Sequence, residues 1–353
     1  MGSKVNKWIL IMMMCGFILI IFVFTLLNKP KPQEYEGVRR TENEQTLIGL
    51  SVDGMVIERW QHDVDIFKTK AEELGYHVEV TNAYEDVQKQ IEQIRMLANE
   101  GAKAIVIIAC DKDSLSEVIE EVKKKDIVVI AYDRLIMRAD VDAYISFDNI
   151  AVGEHMARAL IEVQPEGNYV IINGAPTDYN ASMFNEGYYN NLKPYIDDGS
   201  IVILEEVWAE NWREEFAYNT VSRLLEKGKN IDAIIGANDR IAEGAISVLL
   251  EYGLVGEIPV VGHDADISAC QNIVEGKQLM TVYKPIKTLA EGAVNTVDQL
   301  INGHEITYQE TIFDGEYEVP YIQYDVVPVY DYNMRETVIK DLFHNEEDVY
   351  LKQ

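Results

Sequence analysis

The sequence predicts an α/β fold of two doubly wound parallel-sheet lobes behind an N-terminal transmembrane helix. Three observations predict it. Short runs that are apolar throughout, such as AIVIIA at 104–109 and IVVIAY at 127–132, read as strands buried on both faces of a parallel sheet. These runs alternate with stretches of helical period, which is the order of an α/β protein. Finally, the twenty residues 8–27 carry no charge, and as a helix they reach about 30 Å, the thickness of a bilayer core.

Taken in order, 47–52 is the first strand. Ile57, Trp60, Val64, Phe67, Ala71 and Leu74 then share one helical face, which Gly75 stops. The alternation continues with strand 77–80, helix 87–99, strand 104–109, helix 115–124 and strand 127–132. A second series follows the strand at 142–147: helix 152–161, strand 169–172, helix 184–192, strand 201–206, helix 216–225, strand 233–236, helix 241–250, and strands 259–262 and 279–283. Two similar lobes fit a chain of 353 residues.

Composition narrows the function. With 48% hydrophobic residues and only 9 prolines the chain can build large cores, which excludes disordered and low-complexity classes. Sixty Asp and Glu against 31 Lys and Arg give a net charge of -29, a field that repels nucleic acid. The three cysteines, Cys15, Cys110 and Cys270, show no CxxC and no close Cys/His spacing, so neither a metal nor a disulfide framework is indicated, and no cofactor is called for. At the front, Lys4 and Lys7 favour a cytoplasmic N-terminus, no small-x-small cleavage site closes the apolar run, and Cys15 sits too early for a lipid anchor. The expectation is an anchor over 1–29 and a tether over 30–45, with the folded part beginning near Thr46 outside the cytoplasm.

Ligands of open parallel sheets bind outside the carboxyl ends of the strands. Those ends carry Asp53, Asp133 and Arg134, Asp148 and Asn149, Asn173 with Asp178 and Asn180, Trp208 with Trp212, Asn238 and Asp239, His263 and Asp264, and then Lys284. Any one of them could be a turn or cap residue; the collection points to a site. Arg59, Arg134 and Lys284 balance Asp133, Asp178 and Asp264, so a pocket built from them is near neutral. Such a pocket suits a polyol, whose hydroxyls donate to Asp and accept from Arg and Lys, better than an anion. Trp60 and Trp212 add flat faces for a sugar ring, although Trp60 also lies on the apolar stripe of its helix. Asn180-Ala181-Ser182 matches a glycosylation sequon, read here as chance, and His263 is read as a hydrogen-bonded strand-end residue. Catalysis is not indicated. The cations beside Asp133 and Asp264 keep both ionised, no nucleophile elbow or phosphate loop follows a strand, and no helix-turn-helix precedes the fold.

The segments IERWQHDVDIF (57–67), VVIAYDRLI (128–136), PTDYNASMF (176–184), VWAENW (207–212), IIGANDR (234–240), VVGHDAD (260–266) and MTVYKPI (280–286) resemble the D-xylose-binding branch of the type I periplasmic binding protein family. The resemblance implies two lobes joined by three crossovers, with lobes at 46–149 plus 285–310 and at 150–284 plus 311–332, and a C-terminal tail at 333–353. It places sugar contacts on Arg59, Asp133, Arg134, Asn180, Trp212, Asn238, Asp264 and Lys284, to which the residue reading adds Trp60 and Asp178. It also implies one of two roles: a tethered xylose sensor that signals through a membrane sensor histidine kinase, favoured by the apolar front segment, or the substrate-binding subunit of an ABC-type xylose importer.

Overall fold

A computed structural model describes residues 45–55 and 59–351. The predicted span at 8–27 and the tether up to residue 44 lie outside the described residues, as does Ile57 of the first helical stripe. Among the described residues no helix is long and apolar enough to cross a membrane.

The first half alternates strand and helix: β1 (Leu47–Val52), α1 (Arg59–Glu73), β2 (His77–Asn82), α2 (Val87–Asn99), β3 (Ala104–Ile107), α3 (Ser116–Lys123), β4 (Val128–Tyr132) and β5 (Ala143–Phe147). The second half continues with α4 (Asn149–Val163), β6 (Gly167–Asn173), α5 (Tyr179–Asp197), β7 (Ile201–Trp208), α6 (Glu215–Glu226), β8 (Ala233–Gly236), α7 (Asp239–Tyr252), β9 (Val260–His263), α8 (Ile267–Val274) and β10 (Met280–Tyr283). Then come α9 (Ile286–Ile301), β11 (Glu310–Phe313), β12 (Glu318–Tyr324), β13 (Val327–Val329) and α10 (Glu346–Val349).

Burial explains the strand pattern. In and beyond β3, Ala104, Val106 and Ile108 enter the core on one face of the sheet while Ile105, Ile107 and Ala109 enter the core on the other, so no position on the strand can be polar. In α1 the stripe Trp60, Val64, Phe67 and Ala71 is buried; Leu74, just past the helix end, is 41% exposed and does not join it.

Two sheets result. The first has the order β11-β12-β5-β4-β3-β1-β2 and the second β13-β10-β9-β8-β6-β7, parallel except for β11 against β12 and β13 against β10. The order reverses between β1 and β3 in one and between β6 and β8 in the other, the places where a crevice opens at the strand ends. The chain passes between the sheets three times: after β5, after β10, where α9 returns to pack on α1, β4 and β5, and between β12 and β13. The first and third passages are tied by the Asp148 amide donating to the Tyr324 carbonyl at 2.9 Å.

Two assignments made from the sequence change. Most of 311–332 does not lie in the second lobe, because the β11–β12 hairpin extends the first sheet by pairing β12 with β5; only β13 joins the second. The segment from residue 333, expected as a C-terminal tail, packs into the second lobe. Met334, Val338 and Val349 are buried with Cys270, Ile273, Tyr283 and Val329 in a small core of the second lobe, where their burial offsets the entropy of ordering the segment.

In the second lobe α4 and α5 cross in close contact because both carry glycine at the crossing. A Cβ on Gly153 would collide with the Phe184 carbonyl oxygen, and one on Gly187 with that of Ile150. Gly153→Ala is therefore expected to separate the helices and cost about 1–3 kcal/mol, as overpacking does, read as a lower Tm in thermal unfolding. An unchanged Tm would contradict this packing.

Candidate functional site

The carboxyl ends of both sheets face one another, and the ten residues selected from the sequence converge there. Arg59, Trp60, Asp133, Arg134, Asp178, Asn180, Trp212, Asn238, Asp264 and Lys284 line one cavity with about 290 Å³ of empty space, together with Phe184 and His263. A neighbouring cavity with about 480 Å³ of empty space shares Trp60, Arg134 and Trp212 and adds Asp53, Glu85 and Arg240.

Helix α1 begins at Arg59, so its side chain enters the cleft, where it is 2% exposed. Its Nη2 donates to Asp133 Oδ2 at 2.8 Å, its Nε faces Asp63 Oδ2 at 3.3 Å, and its Nη1 lies 3.8 Å from Asp264 Oδ1 across the cleft. Burial would lower the Arg59 pKa, but Asp133, Asp63 and Asp264 outweigh it and raise it well above its ordinary value. The guanidinium also sits 4.5 Å from the centroid of the Trp60 ring. Asp63 is in turn held by the Tyr132 hydroxyl, which donates to it.

Arg134 bridges the lobes. It donates to Asp53 and, at 2.9 Å, to the Ala109 carbonyl of its own lobe, and its Nε pairs with Asp178 Oδ2 of the other at 2.8 Å. Asp178 meanwhile caps α5 by accepting from the Asn180 amide at 2.9 Å. Asn180 is fully engaged: its Nδ2 donates across the cleft to Asp133 O at 3.0 Å and Oδ1 at 3.2 Å, while its Oδ1 accepts from Tyr144 and Asn149 at 3.0 and 3.1 Å. With Asn180 only 2% exposed, the sequon reading stays a chance match.

Asp264 ends β9 and is 6% exposed. Its Oδ1 lies 3.4 Å from Lys284 Nζ and 3.5 Å from His263 Nε2, yet it accepts no hydrogen bond from the described residues. Burial would raise its pKa, but His263, Lys284 and Arg59 outweigh that and hold it well below the usual carboxylate range. Since the His263 ring is itself uncharged at neutral pH, Lys284 and Arg59 supply the holding charge there. Lys284 Nζ also faces the Phe184 ring at 4.9 Å.

The backbone is strained where the site is built. Asp133, Trp212 and Asp264 have φ of 63°, 55° and 101°, a region that side-chain-bearing residues rarely adopt, and each is held there by the surrounding contacts. Gly174 lets the Trp212 indole lie against the backbone, where a Cβ would collide with the ring. The indole meets Phe184 and His263 edge-on, at centroid distances of 6.3 and 6.2 Å. The indole nitrogens of Trp60 and Trp212 are buried and find no hydrogen-bond partner among the described residues.

Other strand-end residues have structural tasks. Asp148 caps α4, Asn173 donates to Glu206 at 2.7 Å, and Asp239 accepts from Thr281 and Gln278 at 2.7 and 2.8 Å. Sequence reasoning missed Phe184 and His263 as lining residues and Asp63 as the partner of Arg59. The i,i+4 spacing of Arg59 and Asp63 on a helix carried that last signal.

Residues 48–305 match the periplasmic binding protein domain. The chain belongs to the periplasmic binding protein family. It is 43% identical to the D-xylose-binding periplasmic protein of Haemophilus influenzae, over 86% of this chain and 92% of that one. It is 41% identical to the D-xylose-binding periplasmic protein of Escherichia coli K12, over 87% and 93%. A solute-binding protein from Clostridium phytofermentans with bound β-D-glucose superposes with a TM-score of 0.81 at 31% identity, over 86% of this chain and all of that one. A family member of this kind is a solute receptor and not an enzyme.

The cleft carries a pH signature. His263 is 2% exposed, and its pKa is pushed down to about 3, chiefly by burial and in part by Lys284, with Asp264 opposing. The unfolded chain therefore takes up this proton first, near pH 6.5, so the stability is fully present above that pH and is lost as pH falls toward 3. Asp264, with its depressed pKa, adds a loss in the same direction below about pH 3.9. Buried Asp239, raised to about 8, works the other way over this range, so the His263 contribution is read as a difference: between pH 6.5 and 4 the slope of unfolding free energy against pH is expected to be lower in His263→Gln than in the wild type by about one proton, roughly 1.4 kcal/mol per pH unit. An unaltered slope in the variant would show that His263 is not buried in its neutral form.

Proposed function

We propose that this chain is the D-xylose-binding component of an ABC-type sugar importer, acting outside the cytoplasmic membrane by closing two lobes on the sugar. One observation carries the reading: both lobes contribute to a cavity in which three cations, Arg59, Arg134 and Lys284, meet three carboxylates, Asp133, Asp178 and Asp264, with two indoles at its walls. An anionic ligand would face the carboxylates and a cationic one the arginines, whereas a neutral polyol satisfies both sets. Asp264 Oδ1 and the nitrogens of Trp60 and Trp212 are buried groups for which sugar oxygens and hydroxyls are fitting partners. Two relatives above 40% identity named for D-xylose support the choice of sugar. The Clostridium phytofermentans solute-binding protein that it resembles is described as an ABC transporter component, which supports uptake over signalling, so the histidine-kinase role expected from the apolar front segment becomes the second reading, favoured only by the uncharged run at 8–27.

Calorimetry is expected to show D-xylose binding, with xylonate and xylose phosphates excluded, and Asp264→Ala losing roughly 2–5 kcal/mol, as truncated buried charge pairs do. Ribose or galactose binding as well as xylose, or a sugar phosphate binding better, would contradict the assignment. For the partner, the full-length protein purified from membranes is expected to bring a permease; a histidine kinase instead would turn the choice to the second reading.

A further inference from the structure

His263 was set aside as scaffold, yet its ring lines the cavity and is 2% exposed. Its Nδ1 is in hydrogen-bond contact with the Ala237 carbonyl oxygen. A carbonyl oxygen only accepts, so Nδ1 carries the hydrogen and Nε2 keeps a lone pair. The ring is held in this pose by Phe184, at a centroid distance of 4.5 Å and tilted by 56°, and by the Trp212 indole, edge-on at 85°. Its Nε2 lies 3.5 Å from Asp264 Oδ1, and Asp264 Oδ1 accepts no hydrogen bond from the described residues. Two acceptors thus face each other inside the cleft, and among the described residues no group donates between them; Lys284 Nζ, 3.4 Å from Asp264 Oδ1, makes no hydrogen bond to it. Protonating the ring would supply one, but burial opposes the imidazolium, whose pKa is near 3. The other source is a donor on the ligand.

We propose that His263 Nε2 is a ligand-binding acceptor that takes a hydroxyl proton of the bound sugar, side by side with Asp264. The inference rests on the sugar-binding reading above and deepens it by naming a recognition residue fixed as an acceptor through its tautomer. Its consequence is selectivity. A sugar lacking or methylated at the facing hydroxyl leaves both acceptors opposed, so the site rejects it.

The test is nitrogen NMR on the full folded protein with isotope-enriched histidine, its six histidines assigned with the help of His263→Gln. In the ligand-free wild type, Nδ1 is expected to be protonated and Nε2 unprotonated across pH 5–8. Saturating D-xylose is expected to move the Nε2 resonance upfield, as accepting a hydrogen bond does, and to leave Nδ1 protonated. An Nε2–H tautomer, or an Nε2 resonance unmoved by bound xylose, would overturn the proposal. Calorimetry supplies an independent arm. His263→Phe, which keeps the ring's bulk, is expected to weaken xylose about ten- to a hundredfold, with the loss nearly vanishing for one monodeoxy xylose. An equal loss for every monodeoxy analogue would return His263 to the scaffold. Failure of the wild type to bind xylose at all would instead overturn the sugar reading, and it is recognised before any variant is compared.

Discussion

The cleft is organised by buried ion pairs that cross from one lobe to the other. Arg134 of the first lobe meets Asp178 of the second at 2.8 Å, Arg59 approaches Asp264 at 3.8 Å, and Asn180 of the second lobe donates to Asp133 of the first. Burying so many charges costs several kcal/mol per ion unless each finds a partner, so their arrangement dictates the rest. The first sheet must deliver Asp133 and Arg134 at the end of β4, and the second must deliver Asp264 and Lys284 at the ends of β9 and β10. The positive φ at Asp133 and Asp264 is what turns these carboxylates into the shared space.

A sugar fits this network because the pairs are unequal. Arg134 is saturated by Asp53, Asp178 and a carbonyl, whereas Asp264 Oδ1 has cations only at 3.4 and 3.8 Å and, among the described residues, no hydrogen-bond donor. The first arrangement holds the walls and the second leaves Asp264 Oδ1 open to a donor. Closure has support away from the cavity as well, since Lys112 of the first lobe donates from its backbone to the Thr177 carbonyl at 2.9 Å and from Nζ to the Pro176 carbonyl at 2.7 Å. A ligand that bridges the lobes adds its differential affinity for the closed form to these contacts.

The lobes and the site residues were legible in the sequence for one reason: strands buried on both faces are apolar throughout and stop abruptly at polar residues, and those stops are the site. What was not legible depended on pairing across distance. The β11–β12 hairpin mixes polar and apolar positions, is exposed along β11 and carries Pro320 in the half-buried β12, so it shows no apolar run, and only its pairing with β5 assigns it to the first lobe. The packing of Met334, Val338 and Val349 depends on a small core assembled from α8 and β10. His263 was read as a strand-end hydrogen bonder, which it is; its second face, toward the cleft, follows from how the lobes meet. Asp63 could have been read from its spacing to Arg59, but its link to Tyr132 could not.

The most direct test of the account is a crystal structure of the xylose complex. The account predicts the ring lying between Trp60 and Trp212, with hydroxyls within hydrogen-bond distance of Asp133, Asp264 and Arg59 and the Arg134–Asp178 pair intact across the closed lobes. Xylose seated instead in the neighbouring cavity beside Asp53, Glu85 and Arg240, or bound to one lobe with the pair broken, would contradict it.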